Sequence, residues 1–170
     1  LNIITLNQNC FSNCTNLEIN RLPTSLQKIG QDATWSQGRI FENTKMTTLR
    51  IPENCVIGDF GCKYMTNILS IIFEGSISNL ARGCLQNNFN LSKVIFTGDI
   101  TNISISDSAF NADYQGVPLT FYVLTQSDKD ALSYQLTLSN RIDSNRSYTI
   151  EIMPYNLTFT SINNIPEHDN

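Results

Sequence analysis

An approximate repeat runs through this chain from residue 1 to about residue 125, and it constrains the fold more than any other feature. The clearest copy reads Phe11-Ser12-Asn13-Cys14-Thr15-Asn16-Leu17-Glu18-Ile19-Asn20-Arg21-Leu22-Pro23, followed by Thr24-Ser25-Leu26-Gln27-Lys28-Ile29-Gly30. A second copy ends Met46-Thr47-Thr48-Leu49-Arg50-Ile51-Pro52. In the third, Cys62 precedes Ile68, Ile71 and Phe73; in the fourth, Leu85 precedes Leu91, Val94 and Phe96; a looser fifth has Phe110 before Pro118, Phe121 and Val123. Aligning Leu17, Met46, Ile68, Leu91 and Pro118 gives intervals of 29, 22, 23 and 27 residues. Insertions around Thr34 to Arg39 and Ala112 to Gly116 account for the two longer intervals and read as loops on one side.

Each copy supplies a short strand with apolar residues at its first, fourth and sixth positions, a turn, and a second apolar stretch. One copy cannot bury its apolar side alone, so neighbours must stack and share a core. Stacking sets equivalent strands about 4.8 Å apart in a parallel sheet. An antiparallel sandwich with evenly spaced strands is the competing architecture, but it gives no reason for Phe-x-Asn-x-x-x-Leu to recur ahead of a strand. The period falls within the range of leucine-rich repeats. The fold expected is therefore a mainly β or α/β leucine-rich-repeat solenoid, with a short parallel sheet on one face and a short C-terminal capping helix.

The residues Phe11-Ser-Asn-Cys14-Thr-Asn-Leu17, the ends Leu22-Pro23 and Ile51-Pro52, Ser25-Leu-Gln-Lys-Ile-Gly30 and Ile103-Ser-Ile-Ser-Asp107-Ser-Ala109-Phe110 resemble the BspA-type leucine-rich repeat. The likeness covers roughly residues 1 to 125, with Cys62 and Leu85 standing where the pattern has Phe. It implies a place among surface and secreted repeat proteins, known from gut and oral bacteria and some parasitic protists. The matching residues are core and turn positions, so it says little about what is bound.

After the array, a cap is expected over 126–144 and an extended tail or the start of a further module over 145–170. Ser127 as N-cap with Asp130 three residues on, and Ala131, Tyr134, Gln135 and Leu138 at helical spacing, predict a helix from about Asp128 to Ser139. Tyr148-Thr-Ile150-Glu-Ile152 and Leu157-Thr-Phe159 alternate with period two and read as strands. The first residues lack a basic leader, and the chain starts inside its own pattern, so a longer parent chain is expected.

Charge narrows the partners. Eleven Lys and Arg against 15 Asp and Glu give a net charge of −4, which lacks the basic excess that nucleic-acid binding needs. With 41% hydrophobic and 15% charged residues the chain is too apolar for disorder, and no apolar run approaches a membrane span. The sole histidine, His168, lies near the C-terminus, which leaves little basis for histidine catalysis or metal ligation. No cofactor is expected. Five Asn-x-Ser/Thr sequons begin at Asn13, Asn90, Asn102, Asn145 and Asn156 and matter only for a eukaryotic secretory protein.

Five cysteines invite a disulfide. Cys10 and Cys84 share one column three coils apart, roughly 14 Å by the strand spacing, beyond disulfide reach; Cys14 shares a column with Thr44 and Met65. Unpaired thiols filling the interior are the favoured reading, and a disulfide through Cys55 stays open. Glu53, Asp59, Glu74, Asp99, Asp107 and Asp113 are scattered along the coils and read as turn caps.

The functional expectation rests on the solvent-facing rungs of the strands. Arg21, Arg50, Ile72, Ile95 and Tyr122 occupy the fifth position; Ile19, Thr48, Ser70, Lys93 and Thr120 occupy the third. Aligned, they form a stripe cationic at one end and apolar and aromatic at the other, which suits an interaction surface. The leading expectation is a non-enzymatic, cell-surface or secreted binding module that engages an extracellular protein or glycan. The alternatives are a structural spacer or stalk and, third, a solenoid enzyme acting on polysaccharide.

Overall fold

A computed structural model describes residues 3–30, 38–112, 116–138 and 140–154. Parts of both insertions (34–37 and 113–115), Asp113, Asn156, the Leu157–Phe159 alternation and His168 lie outside them.

The aligned columns become a parallel stack. Strands β3 (Thr48–Ile51), β5 (Ser70–Phe73), β7 (Lys93–Phe96), β9 (Leu119–Val123) and β10 (Tyr148–Ile152) form a five-stranded sheet in the order β10-β9-β7-β5-β3. All its pairs are parallel, and a bridge from Arg21 to Arg50 adds the first coil to its edge. The register sets Leu49, Ile71, Val94, Phe121 and Ile150 side by side. The second apolar stretch of each coil forms two further short parallel ladders. These are β1 (Thr5–Leu6), β2 (Lys28–Ile29) and β4 (Val56–Ile57) in one, and β6 (Asn79–Leu80) and β8 (Ser104–Ile105) in the other.

Between the main sheet and these short ladders lies one contiguous core in which Met46, Ile68 and Leu91 are buried and Leu17 is half-buried. Pro118, at the same position of the next coil, is exposed. Ring stacking follows the register, with the Phe73 and Phe96 centroids 5.3 Å apart and Phe11 and Phe41 5.8 Å apart. Where Cys62 and Leu85 replace Phe, both are fully buried and the turn bonds persist, Cys62 N–H donating to the Cys84 carbonyl at 2.9 Å and Leu85 N–H to that of Ala109 at 3.0 Å.

The turn explains the abundance of asparagine. In three coils two positions four residues apart hold left-handed backbone, Asn9 and Asn13, Phe60 and Tyr64, and Gly83 and Asn87, and Asn43, Ser108 and Asn140 are single left-handed positions in other turns. Asparagine tolerates that conformation far better than bulky residues do, and Phe60 and Tyr64 are the outliers.

The single helix among the described residues, α1 (Gln126–Thr137), starts two residues earlier than the Ser127 cap predicts. Thr125 is the N-cap: its hydroxyl accepts from Asp128 N–H, and the Asp128 carboxylate accepts from Thr125 N–H at 3.0 Å. That carboxylate also accepts Ile100 N–H at 2.9 Å, a bond to the preceding coil that a cap at Ser127 would forfeit. The helix buries Leu132 and Leu136, while Tyr134, one of the residues at helical spacing, is exposed. After α1 the chain returns to the main sheet through β10, which pairs with β9 from Tyr148↔Leu119 to Ile152↔Val123.

Arg146 fastens this return. It is buried, with Nε donating to the Val117 carbonyl, Nη1 to that of Phe110, and Nη2 to those of Asn88 and Leu91. Arg146→Met keeps the stem but orphans buried carbonyls in two neighbouring coils. We expect a loss of on the order of 3 kcal/mol, read as a lower urea midpoint.

Candidate functional site

Period-two alternation decides which side chains the main sheet presents outward. In β3, Leu49 and Ile51 point into the core and Thr48 and Arg50 point out, giving an alternating burial pattern. The two expected ladders form in register. One runs Arg21, Arg50, Ile72, Ile95, Tyr122 and on to Glu151; the other runs Thr48, Ser70, Lys93, Thr120 and on to Thr149.

Alignment was legible from the sequence, but exposure differs from the expectation at four rungs. Ile72 and Ile95 are 2% and 1% exposed, not solvent-facing. They form a second, smaller apolar cluster with Met153, against which Tyr122 and Leu124 also pack. Residues beyond the ends of β9 and β10 thus fold over the middle of the face, and β5 and β7 are buried on both sides. Arg50 is not a free cation: its side chain is only 11% exposed, and Nε donates to Glu74 Oε1 at 2.9 Å. Ile19 is half-buried and packs against the main core.

Glu74, expected as a turn cap, follows β5 directly and binds two arginines. Its other oxygen, Oε2, accepts from Arg21 Nη2 at 3.1 Å. One nearly buried carboxylate between two guanidiniums leaves a net charge of one plus, most of it on Arg21, whose side chain is 56% exposed. The Arg21 contact, open to solvent, is worth under about 1 kcal/mol; the Arg50 contact is better shielded and fixes that side chain flat along the sheet.

At the other end Tyr122 is half-buried, and its hydroxyl pKa is raised, first by burial and then by the Glu151 carboxylate beside it. The third-position lane is lined with hydroxyls, the Thr48 and Ser70 oxygens lying 3.0 Å apart and Thr149 Oγ1 donating to Thr120 Oγ1 at 3.3 Å. Half-buried Lys93 interrupts them. The accessible face is therefore a polar lane with a cation at Arg21, an ammonium at Lys93, and a phenol beside a carboxylate at Tyr122 and Glu151.

Sequence reasoning missed Glu74, Glu151, Thr149 and Met153. The last three carried a usable signal: Tyr122 and Glu151 are 29 residues apart, the same interval as Arg21 to Arg50. Glu74 carried none, because its partners are 24 and 53 residues away in different coils.

Elsewhere, a depression of about 230 Å³ is lined by Ser76, Ile77, Ser78, Asp99 and Asn102. The Asp99 carboxyl there is held low by the backbone N–H and hydroxyl of Thr101, as expected of a turn cap. Asp59 binds Arg82 through both its backbone N–H and its guanidinium, and Asp107 pairs with Arg141. Among the described residues no group of three or more His, Cys, Asp or Glu could hold a metal ion, and no helix is long and apolar enough to cross a membrane.

The thiols divide into two sets. Cys55, Cys62 and Cys84 are buried and unpaired, as expected. Burial pushes Cys55 and Cys84 up to about 12, and lifts Cys62 well above the ordinary value with help from Cys84 and Cys55. Cys10 and Cys14, expected to fill the interior as well, are exposed. Their columns do face inward, as Cys84 and Asn88 show in the fourth coil, but among the described residues no coil lies over the first one.

Comparison with known proteins gives a consistent picture. A family model described as BspA type Leucine rich repeat region matches residues 1–116 in six copies. The crystal structure of the pneumococcal vaccine antigen PcpA superposes with a TM-score of 0.61 at 19% identity, over 87% of this chain and 33% of that one. The chain thus spans a third of that structure's length, and the likeness concerns the fold. No curated protein matches the chain.

The buried thiols set an alkaline limit. The unfolded chain releases their protons from about pH 9, while folded Cys55 and Cys84 hold theirs to about 12. Their contribution is therefore complete below pH 9 and is lost as pH rises towards 12. Urea midpoints between about pH 8 and about pH 11 should fall in the wild type and fall less steeply in Cys55→Ala/Cys84→Ala. Alkylation of the native protein near pH 8 should label Cys10 and Cys14 and spare the other three.

Proposed function

Because the chain belongs to the BspA-type leucine-rich-repeat family, we propose that it is a non-enzymatic, surface-displayed or secreted binding module whose main sheet engages an extracellular protein or glycan. The observation that carries this reading is the registered polar lane. Successive coils present Arg21, Thr48, Ser70, Lys93, Thr120 and Tyr122 from one rigid parallel sheet, at a spacing set by backbone hydrogen bonds and not by flexible loops. Such pre-organisation lowers the ordering cost of binding. Arginine and tyrosine are favoured anchors, and an ammonium among hydroxyls suits carboxylate or sugar oxygens.

Ile72 and Ile95 serve this surface from beneath. Buried with Met153, they hold the middle of the face in shape, and the contacts fall to the side chains around them. The occurrence of BspA-type repeats in surface and secreted proteins, and the likeness in fold to a pneumococcal vaccine antigen, support an extracellular setting. The face supports binding over a pure spacer, for which rungs of mixed chemistry have no use.

The test is a screen of immobilised extracellular proteins and glycans with wild type and with Arg21→Glu/Lys93→Glu/Tyr122→Ala. Loss of these anchors should weaken any genuine partner at least about tenfold, with an unchanged far-UV spectrum. Undiminished binding by the triple variant would remove the sheet face from consideration.

A further inference from the structure

The corner where β5 runs on to β6 is stacked against the corner where β7 runs on to β8, and there lies the depression of about 230 Å³ lined by Ser76, Ile77, Ser78, Asp99 and Asn102. Its walls are fixed by backbone. Asp99 N–H donates to Ser76 Oγ at 3.1 Å, and Ser104 N–H donates to the Ser78 carbonyl at 2.9 Å. A Cβ on Gly98 would meet the Gly75 carbonyl carbon at 2.2 Å, so the two corners touch main chain to main chain. The array continues on both sides: the Glu53 side chain rests against Gly75 on one, and Asp128 of α1 accepts Ile100 N–H on the other.

Floor and rim differ in character. Ile77 is half-buried and packs against the main core, which gives an apolar patch. Around it stand unused hydrogen-bonding groups. Asp99 Oδ1 is taken by the N–H and hydroxyl of Thr101, while Oδ2 has no partner among the described residues. Thr101 also keeps that carboxyl ionised below the usual range. The Ser76 oxygen accepts one bond and its proton is free, and the side chains of Ser78 and Asn102 make no hydrogen bond among the described residues. The lining thus combines one anionic acceptor, two hydroxyls and an amide, without a cation.

We propose that this corner is a second binding site, one that takes a single neutral sugar ring. A pyranose has a C–H face to lie on Ile77 and a rim of hydroxyls that both donate and accept. Asp99 Oδ2 accepts from one ring hydroxyl in a charge-assisted bond, and the Asn102 amide and the serine hydroxyls bond its neighbours. A lone carboxylate without a cation beside it repels phosphates and uronates, and it lacks the companion acids that a metal ion needs. A preformed concavity with an apolar patch and a few convergent polar groups is what a small-ligand site requires. The site is independent of what the sheet face binds, since none of its residues belongs to that lane.

The experiment records saturation-transfer NMR spectra of the full chain with a panel of neutral methyl glycosides: glucose, galactose, mannose, fucose, N-acetylglucosamine and N-acetylgalactosamine, each in both anomers. At least one should bind, with millimolar affinity. Asp99→Asn/Asn102→Ala should weaken that glycoside at least about tenfold. Ser78→Tyr should do the same by filling the depression from an exposed position, which guards against a folding defect in the first variant. Arg21→Glu/Lys93→Glu/Tyr122→Ala should bind the glycoside as the wild type does. Silence across the whole panel, binding left intact by both corner variants, or binding lost with the sheet-face variant would overturn the assignment.

Discussion

The parallel register between coils is the constraint on which everything else in this molecule depends. A coil of some two dozen residues has too little interior to bury its own apolar side chains, so Ile71 is covered by Leu49 and Val94 of its neighbours as much as by its own coil. The same backbone bonds that align this interior column align the exterior one. Core packing and the layout of the face are consequences of one set of hydrogen bonds, and any shift of register would scramble both at once.

This coupling explains why a surface can be patterned with so few charged residues. Two guanidiniums one coil apart in sequence are brought side by side and share the Glu74 carboxylate of the next coil. Farther along, hydroxyls at the same rung of successive strands meet at 3.0 Å without any local motif to announce them. The chemistry of the face lies in the distances between coils, not in any short stretch of sequence.

What could be read beforehand follows from the same logic. The columns Leu17, Met46, Ile68 and Leu91 and the alignment of Arg21 with Arg50, Ile72, Ile95 and Tyr122 were legible because periodicity is a property of the string. Exposure was not, because it depends on what lies on top. Ile72 and Ile95 are covered by Met153, more than 50 residues downstream, while Cys10 and Cys14 sit in inward columns that no described coil covers. The helix start was misplaced for a similar reason, since Asp128 answers to Ile100 in another coil as well as to its own cap. Even the asparagines, legible as turn residues, show their purpose only in the left-handed positions of the turns.

The buried guanidinium of Arg146 changes how the layers around it come apart. Its donors reach Val117 and Phe110 in one coil and Asn88 and Leu91 in the next, so three successive layers are riveted by a single side chain. In a one-dimensional assembly each layer answers only to its neighbours, and a side chain that reaches past its neighbour breaks that rule. Those three layers therefore part together, as one unit, and not coil by coil.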